Sequence, residues 1–101
     1  MRKESDFQGD LIKEIKTKLP GAIVTKLDPK HIQGLPDLLI LYKNKWAALE
    51  CKKNEYEMRH PRPNQPYYVN LMNNMSFAAF IFPGNKEEVL NDLQRALESG
   101  R

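Results

Sequence analysis

The sequence has few of the features that identify several large classes of protein. Its single cysteine, Cys51, cannot form a disulfide within the chain, and no cluster of cysteine and histidine has structural-zinc spacing. No segment approaches the roughly 20 apolar residues of a membrane span. The first residues, MRKESDFQGDLIKE, carry charges throughout and lack the apolar core of a secretory signal. These absences predict a cytoplasmic protein that is stabilised by packing.

The composition is that of an ordinary globular domain. A chain of 101 residues can build a single core, so we expect one domain over 1–101. Hydrophobic residues make up 41% and charged residues 29% of the chain, which argues against a disordered or fibrous class. The formal net charge of +3 permits a polyanionic partner such as nucleic acid, although charge of this size does not require one.

Hydrophobic periodicity predicts an α/β domain of order αβββαβα, with a central mixed β-sheet flanked by helices. The spacing of Phe7, Leu11, Ile15 and Leu19 predicts an amphipathic helix from Ser5 to Leu19. Apolar runs predict strands at Ala22–Leu27, Asp37–Tyr42, Trp46–Lys52 and Phe77–Phe82. The segments Asp28–Leu35 and Lys53–Pro63 are rich in turn residues or charge and are expected to be loops.

Two further helices are expected in the second half of the chain. Asn64 is the predicted N-cap of the first, with Pro66 in its first turn and an inward stripe of Tyr68, Leu71, Met72 and Met75. The second is expected to open with a capping box from Asn85 to Glu88 and to stop near Gly100. Its buried residues are predicted to be Val89, Leu90, Leu93 and Leu97.

The two central strands are predicted to form a hairpin that gathers charged residues. If the turn consists of Lys43-Asn44, counting back along both strands places Asp37 directly opposite Glu50, with Cβ atoms roughly 4.5 to 5.5 Å apart. Side chains alternate along a strand, so Lys52 shares a face with Glu50 whereas Cys51 points away, as a small buried hydrophobe. A three-residue turn would shift the pairing by one residue and break this arrangement.

Two opposed carboxylates beside apolar strands need compensating positive charge. Lys52 supplies one charge, and a divalent cation would supply two more. Asp37, Glu50 and the backbone carbonyl of Cys51 offer the oxygen ligands that Mg²⁺ prefers. Such an ion can lower the pKa of a bound water and neutralise charge on a phosphate. An isolated Glu-x-Lys is usually a solvated ion pair, but the opposed Asp37 favours metal-dependent phosphoester hydrolysis.

The residues Gly34-Leu35-Pro36-Asp37, followed after a strand and a turn by Glu50-Cys51-Lys52, resemble the signature of PD-(D/E)xK nucleases. With Glu4-Ser5-x-x-Gln8 and with Gln65 opening the next helix, the pattern is similar to the VRR-NUC branch, many of whose short members occur in phages. The resemblance implies a restriction-endonuclease-like domain that cleaves DNA with Mg²⁺ or Mn²⁺, in the host cytoplasm if a phage encodes it.

The resemblance also implies the roles of individual residues. It gives Asp37, Glu50, Lys52 and Gln65 as catalytic residues, and it adds Glu4 to the metal ligands Asp37, Glu50 and the Cys51 carbonyl. One conflict stays open in the sequence, because Ser5-x-x-Gln8 also fits a capping box that would leave Glu4 outside the helix.

Basic residues flank the predicted site and are candidates for contacts with nucleic acid. Lys30, His31, Lys53, Arg59 and Arg62 are expected to contact phosphates, although a charge-rich loop is more often simply solvated. A site on so small a domain has little surface with which to hold a duplex. We therefore expect a homodimer or a higher oligomer that presents two sites to DNA.

Three alternative functions fit the same sequence. A Holliday-junction resolvase also uses a PD and Glu-x-Lys hairpin in a small dimeric protein, so it resembles this chain as well. A nucleic-acid-binding module on the same fold would bind DNA without cleaving it. A structural or interaction protein would carry these residues only as surface ion pairs and would bind no divalent metal.

Overall fold

A computed structural model describes residues 3–28 and 30–99 of the protein. The helices in these ranges are α1 (Glu4–Lys18), α2 (Glu55–Arg59), α3 (Asn64–Met75) and α4 (Lys86–Glu98), the last preceded by a 3₁₀ turn at Pro83–Asn85. The strands are β1 (Ile23–Lys26), β2 (Leu38–Tyr42), β3 (Lys45–Cys51) and β4 (Phe77–Ile81). Pro29, predicted to lie in a loop, and Gly100, predicted to end the last helix, fall outside the described residues.

The four strands form one mixed sheet in the order β1-β2-β3-β4. β1 and β3 each pair with β2 in the antiparallel sense, and β4 runs parallel to β3. The predicted hairpin is confirmed, because Tyr42 pairs with Lys45 across the two-residue turn. Lys43 has a φ of 58°, a positive value of the kind that such tight turns require. The α/β class and the mixed sheet are therefore as predicted.

Helices cover both faces of the sheet, but not equally. The larger core lies between one face and helices α1 and α4. Its buried side chains are Phe7, Leu11, Ile15, Leu19, Leu38, Ile40, Tyr42, Ala47, Leu49, Cys51, Ile81, Val89, Leu90, Leu93 and Leu97. On the other face α3 packs over β3 and β4, where Ala48, Val69 and Ala78 are buried. Beyond α3 the same face leaves Ile23 and Leu41 exposed, at 60% and 40%.

Helix α1 confirms the predicted apolar stripe, although its start differs from the prediction. The backbone N–H of Lys3 donates to the carboxylate of Asp6 at 3.2 Å, and this contact fixes the first turn. The alternative capping box from Ser5 to Gln8 is wrong, because Ser5 already lies inside the helix. Glu4 is consequently the first helical residue, one turn before Gln8.

Helix α3 buries a narrower stripe than the sequence predicted. Leu71 and Met75 are exposed, Tyr68 and Met72 are partly buried, and Val69 is the buried residue of this helix. The physical reason is that α3 covers only two strands, so one edge of its apolar surface has nothing beneath it. The helix also begins at Asn64 itself, after Pro63, and the Asn64 side chain makes no capping hydrogen bond.

The predicted capping box of the last helix is also wrong. The Asn85 amide accepts from the N–H of Phe82 at 2.8 Å and donates to the carbonyl of Phe80 at 3.2 Å. It therefore satisfies backbone groups at the end of β4 rather than the first turn of α4. The predicted buried residues of α4 are all buried.

The segment predicted as a loop from Lys53 to Pro63 contains the short helix α2. Asn54 is its N-cap and accepts from the N–H of Glu57 at 2.8 Å. None of its five residues is buried, so hydrophobic periodicity carries no signal for it. Within the described residues, no helix is both long and apolar enough to cross a bilayer.

Candidate active site

A cleft of about 760 Å³ opens at the end of the sheet where β2 begins and β3 ends. Its lining includes Glu4 from the start of α1, Asp37, Glu50 and Lys52 from the hairpin, and Gln65 from the start of α3. The chain thus brings together residues that are as far as 61 positions apart in the sequence, 4 to 65. The predicted catalytic and acidic residues all line this one cleft.

Asp37 is held on both sides by backbone groups. Its carbonyl accepts from the N–H of Leu27 at 2.8 Å, and its Oδ2 accepts from the N–H of Cys51 at 2.8 Å. Through this bond the Asp37 side chain connects to β3 at the position directly before β2. Strand β2 itself begins at Leu38, one residue later than predicted. Leu38 pairs with Leu49. The same register places Asp37 opposite Glu50, as the hairpin spacing predicts.

Glu50 is a buried acid with one satisfied and one bare oxygen. The residue is only 2% exposed. Its Oε2 accepts from the Gln65 amide at 2.8 Å and lies 3.7 Å from the Lys52 Nζ. Its Oε1 is buried and has no hydrogen-bond partner among the described residues. Since an ionised carboxylate only accepts hydrogen bonds, Asp37 cannot satisfy this oxygen unless a proton or a cation lies between them.

Gln65 links the lysine to the acid. Its Oε1 accepts from the Lys52 Nζ at 2.8 Å and from the N–H of Arg62 at 3.1 Å. Its amide nitrogen donates to Glu50, so the two ends of one side chain hold both charged groups. Lys52, at 8% exposure, is nearly as buried as Glu50. The resemblance to VRR-NUC proteins singled out Gln65, and the geometry gives it these contacts.

The Gly-x-Pro-Asp segment approaches α3 closely at Gly34. This glycine has a φ of +97°, and a Cβ added to it would lie 2.5 Å from the Cβ of Asn64. Only glycine adopts that backbone conformation without strain and leaves room for the neighbouring chain. The loop that leads to Asp37 is therefore packed against the residue directly before Gln65.

The electrostatics of the cleft disfavour ionised carboxylates. Burial, followed by the charge of Asp37, raises the pKa of Glu50 to about 8. Burial also raises the pKa of Asp37, although the Cys51 N–H and the Lys52 charge oppose it. The pKa of Glu4 is raised by burial and then by the charge of Asp37. Glu4, Asp37 and Glu50 therefore retain protons more readily than exposed carboxylates, and Lys52 is the lysine that opposes this effect at all three.

Cys51 lies behind the site rather than in it. Its side chain is fully buried in the larger core, and burial raises the pKa of its thiol. Only its main chain faces the acids, through the hydrogen bond from its N–H to Asp37. The prediction of a small buried hydrophobe is confirmed.

The basic residues predicted to contact nucleic acid divide into two groups. Lys30 and Arg62 line the cleft. His31 and Lys53 are exposed outside its lining, and Arg59 pairs with Glu55 at 2.6 Å on the surface of α2.

Glu57 and His60 also line the cleft, although neither is among the site residues predicted from the sequence. The signal that would have found them is the N-cap Asn54 followed by an acidic first turn, which marks a helix start.

The donor set can be compared with the needs of a divalent cation. Among residues 3–28 and 30–99, no three His, Cys, Asp or Glu side chains are arranged so that they would hold a metal ion by themselves. Asp37 and Glu50 are adjacent, however, and the bare Glu50 Oε1 is the kind of oxygen that a hard cation takes. The residues fit such an ion if a backbone carbonyl and water complete its shell.

Comparisons with protein-family models, with curated proteins and with solved structures find no match to this chain.

Proposed function

We propose that this protein is a Mg²⁺- or Mn²⁺-dependent endonuclease of the PD-(D/E)xK type, with a restriction-endonuclease-like fold, that hydrolyses phosphodiester bonds in DNA. The observation that carries the proposal is the buried Glu50, whose Oε1 is bare while Asp37 lies opposite and Lys52 beside it. Without metal, a proton held between Glu50 and Asp37 offsets the cost of this buried acid, because burial and the charge of Asp37 raise the pKa of Glu50 to about 8. A divalent cation bound there would take the place of that proton.

The metal would be held by Asp37, Glu50 and the carbonyl of Cys51. Glu4, the further acidic ligand that the resemblance implies, lines the same cleft but does not form a three-carboxylate site with these two acids among the described residues. Backbone N–H and C=O groups of one residue in an antiparallel strand point to the same side. Because the Cys51 N–H bonds to Asp37, the carbonyl of the same residue is expected on that side too. When bound, a divalent ion supplies an activated water and offsets the charge that develops on the phosphate.

Lys52 and Gln65 have distinct roles in this proposal. The Lys52 ammonium holds the attacking water or a phosphate oxygen within the cleft, where a low dielectric strengthens its hydrogen bonds. Gln65 is a positioning residue, because it accepts from Lys52 and donates to Glu50 at 2.8 Å each. Lys30 and Arg62, which line the same cleft, contribute positive charge for the neighbouring phosphates.

The direct test is a cleavage assay on supercoiled plasmid, linear duplex, flaps and four-way junctions. We expect products with Mg²⁺ or Mn²⁺, none with EDTA, and a loss of at least about 10²-fold in rate for Asp37→Ala. Preference for four-way junctions would identify a Holliday-junction resolvase. Binding of DNA that is unaffected by EDTA, with no cleavage of any substrate, would instead favour a non-catalytic binding module.

Cleavage that survives in a folded Asp37→Ala variant would contradict the proposed site. Calorimetry with Mn²⁺ separates the remaining alternative. A structural protein whose acids are only ion pairs would show no binding heat, whereas the proposed enzyme binds the ion with Asp37 and Glu50.

We also propose a homodimer, because one cleft offers little surface for a duplex. Ile23 and Leu41 are paired neighbours on the sheet face that carries Glu50, and adjacent exposed apolar side chains are typical of protein contacts.

We expect Leu41→Lys to weaken dimerisation at least about tenfold, since it places charge in an apolar interface. Ile32→Lys is the matched control, because Ile32 is 39% exposed but lies in the loop before β2. Sedimentation equilibrium would measure both, and a monomeric wild type at micromolar concentration would exclude the dimer.

A further inference from the structure

Helix α2 displays an aromatic pair at the edge of the cleft. The ring of Tyr56 stacks on that of His60 with 4.1 Å between centroids and 24° between planes. Tyr56 is 67% exposed, although a tyrosine normally buries much of its ring. The helix that carries it contributes no buried residue, so Tyr56 does not serve the core. This exposed stacked pair beside a cleft of charged residues is therefore not part of the hydrophobic core.

The pair is held in place before any ligand arrives. The Nδ1 of His60 lies 2.8 Å from the carbonyl of Tyr56, and because a carbonyl only accepts, this nitrogen donates. Asn54 caps the N-terminus of the helix, and the Met58 sulfur lies 4.0 Å from the Asn85 amide of the body of the domain. Two rings that are already stacked lose little conformational freedom when a third flat group joins them.

The position of the pair relates it to the proposed chemistry. His60 lines the cleft that contains Asp37, Glu50 and Lys52, and Tyr56, which is outside the lining, stacks on it. Arg62, two residues after His60, lines the same cleft. A strand whose phosphate enters the cleft would thus pass a positive charge and a flat aromatic surface together. This combination of aromatic stacking and a basic groove is how proteins bind single strands.

We propose that Tyr56 and His60 form a stacking platform for one unpaired nucleobase of the DNA substrate, next to the phosphate that is cleaved. The inference rests on the proposed nuclease function and specifies its substrate. Bases within an intact duplex have both faces covered by their neighbours, so they cannot stack on the platform. The enzyme therefore prefers DNA with an unpaired nucleotide near the cleavage point, such as a bulge, a flap or a junction.

Binding to a synthetic duplex with a single bulged 2-aminopurine tests this proposal, with the fully paired duplex of the same sequence beside it. All measurements are made in EDTA, so that no cleavage occurs. Stacking of one base is worth roughly a 5- to 150-fold difference in affinity. We expect Tyr56→Ala to weaken binding of the bulged duplex at least about fivefold, to abolish the quenching of 2-aminopurine fluorescence, and to leave binding of the paired duplex unchanged.

Tyr67→Ala is the matched control, because Tyr67 is 61% exposed on α3 but does not line the cleft. It is expected to change neither affinity nor quenching. Tyr56→Trp should keep both, since it retains a flat aromatic ring, and its result guards against a loss of α2 structure in the alanine variant.

Three results would overturn the platform: equal behaviour of Tyr56→Ala and Tyr67→Ala, an equal loss for bulged and paired duplexes, or no quenching by the wild type. The nuclease proposal is judged separately, by cleavage with Mg²⁺. Quenching that depends on Tyr56 without cleavage would keep the platform and refute the nuclease. If the cleavage rate is unchanged by Tyr56→Ala and is the same with and without unpaired bases, the nuclease proposal stands and the platform is refuted.

Discussion

Replacing Lys52 with methionine is expected to lower the rate of metal-dependent DNA cleavage by on the order of 10²–10³-fold, the effect of removing one well-placed electrostatic group from an active site. Methionine keeps most of the volume of the lysine stem but cannot donate to the reacting groups. The ammonium donates to Gln65 at 2.8 Å and lies 3.7 Å from Glu50, and a thioether can replace neither the donor nor the charge. Single-turnover cleavage at saturating enzyme measures the chemical step directly.

The matched control for this substitution is Lys16→Met. Lys16 is an exposed lysine on α1, outside the cleft, so its replacement makes the same change in net charge without touching the site. Circular dichroism and a thermal melt would verify that both variants fold, because Lys52 is buried beside three acids. A folded Lys52→Met variant that cleaves as fast as Lys16→Met would refute the assigned role of Lys52.

Glu50→Gln is expected to inactivate the protein and to stabilise it when metal is absent. The pKa of Glu50 is about 8 in the folded protein, against an ordinary 4.5. Between these two pH values the folded protein retains a proton that the unfolded chain releases. The free energy of unfolding of the wild type therefore falls as pH rises through this window. The contribution of this proton is complete below about 4.5 and is lost above about 8. Glutamine imitates the protonated acid at every pH and removes the part of this slope that Glu50 contributes.

Thermal melts in EDTA at pH 5, 6, 7 and 8 would measure the difference. A change of 1 kcal/mol shifts the Tm of a domain this size by roughly 4–8 °C, so we expect Glu50→Gln to exceed the wild type by on the order of 10 °C at pH 8. At pH 5 the two should be close. Glu88→Gln, at an exposed position of α4, is the control and should follow the wild type. If the Tm of Glu50→Gln follows that of the wild type at all four pH values, ionisation of Glu50 does not destabilise the folded protein.

Thermal melts of the same proteins with Mn²⁺ in place of EDTA test whether Glu50 binds a metal ion. A divalent ion binds the ionised form of Glu50, so Mn²⁺ should raise the Tm of the wild type more at pH 8 than at pH 6. It should leave Glu50→Gln nearly unchanged. An equal response of both proteins to Mn²⁺ would place the ion elsewhere on the molecule.

The centre of the candidate site could be predicted because it depends on local spacing. The two-residue turn Lys43-Asn44 sets the hairpin register, and the alternation of side chains then places Glu50 and Lys52 on one face, opposite Asp37. These are consequences of strand geometry over 16 residues, from 37 to 52, and they require no knowledge of the rest of the fold. The buried faces of α1 and α4 followed in the same way from helical periodicity.

The errors lie where a residue serves a partner distant in sequence. The inward stripe of α3 was predicted too wide, because the apolar Leu71 and Met75 do not reveal that the helix covers only two strands. Asn85 has the sequence context of a helix cap, yet its amide is used by the end of β4. Helix α2 was missed because it buries nothing, and with it Glu57 and the position of His60 in the cleft.

By itself, the sequence determined the hairpin, the α/β class and the pairing of two acids with one lysine, since each follows from the short-range repeat of a strand or a helix. Only the tertiary structure decided that Glu50 is 2% exposed and has a bare oxygen, and that Gln65 reaches across to hold Lys52. Desolvation and such side-chain contacts depend on every element that packs around a group, so no local pattern encodes them.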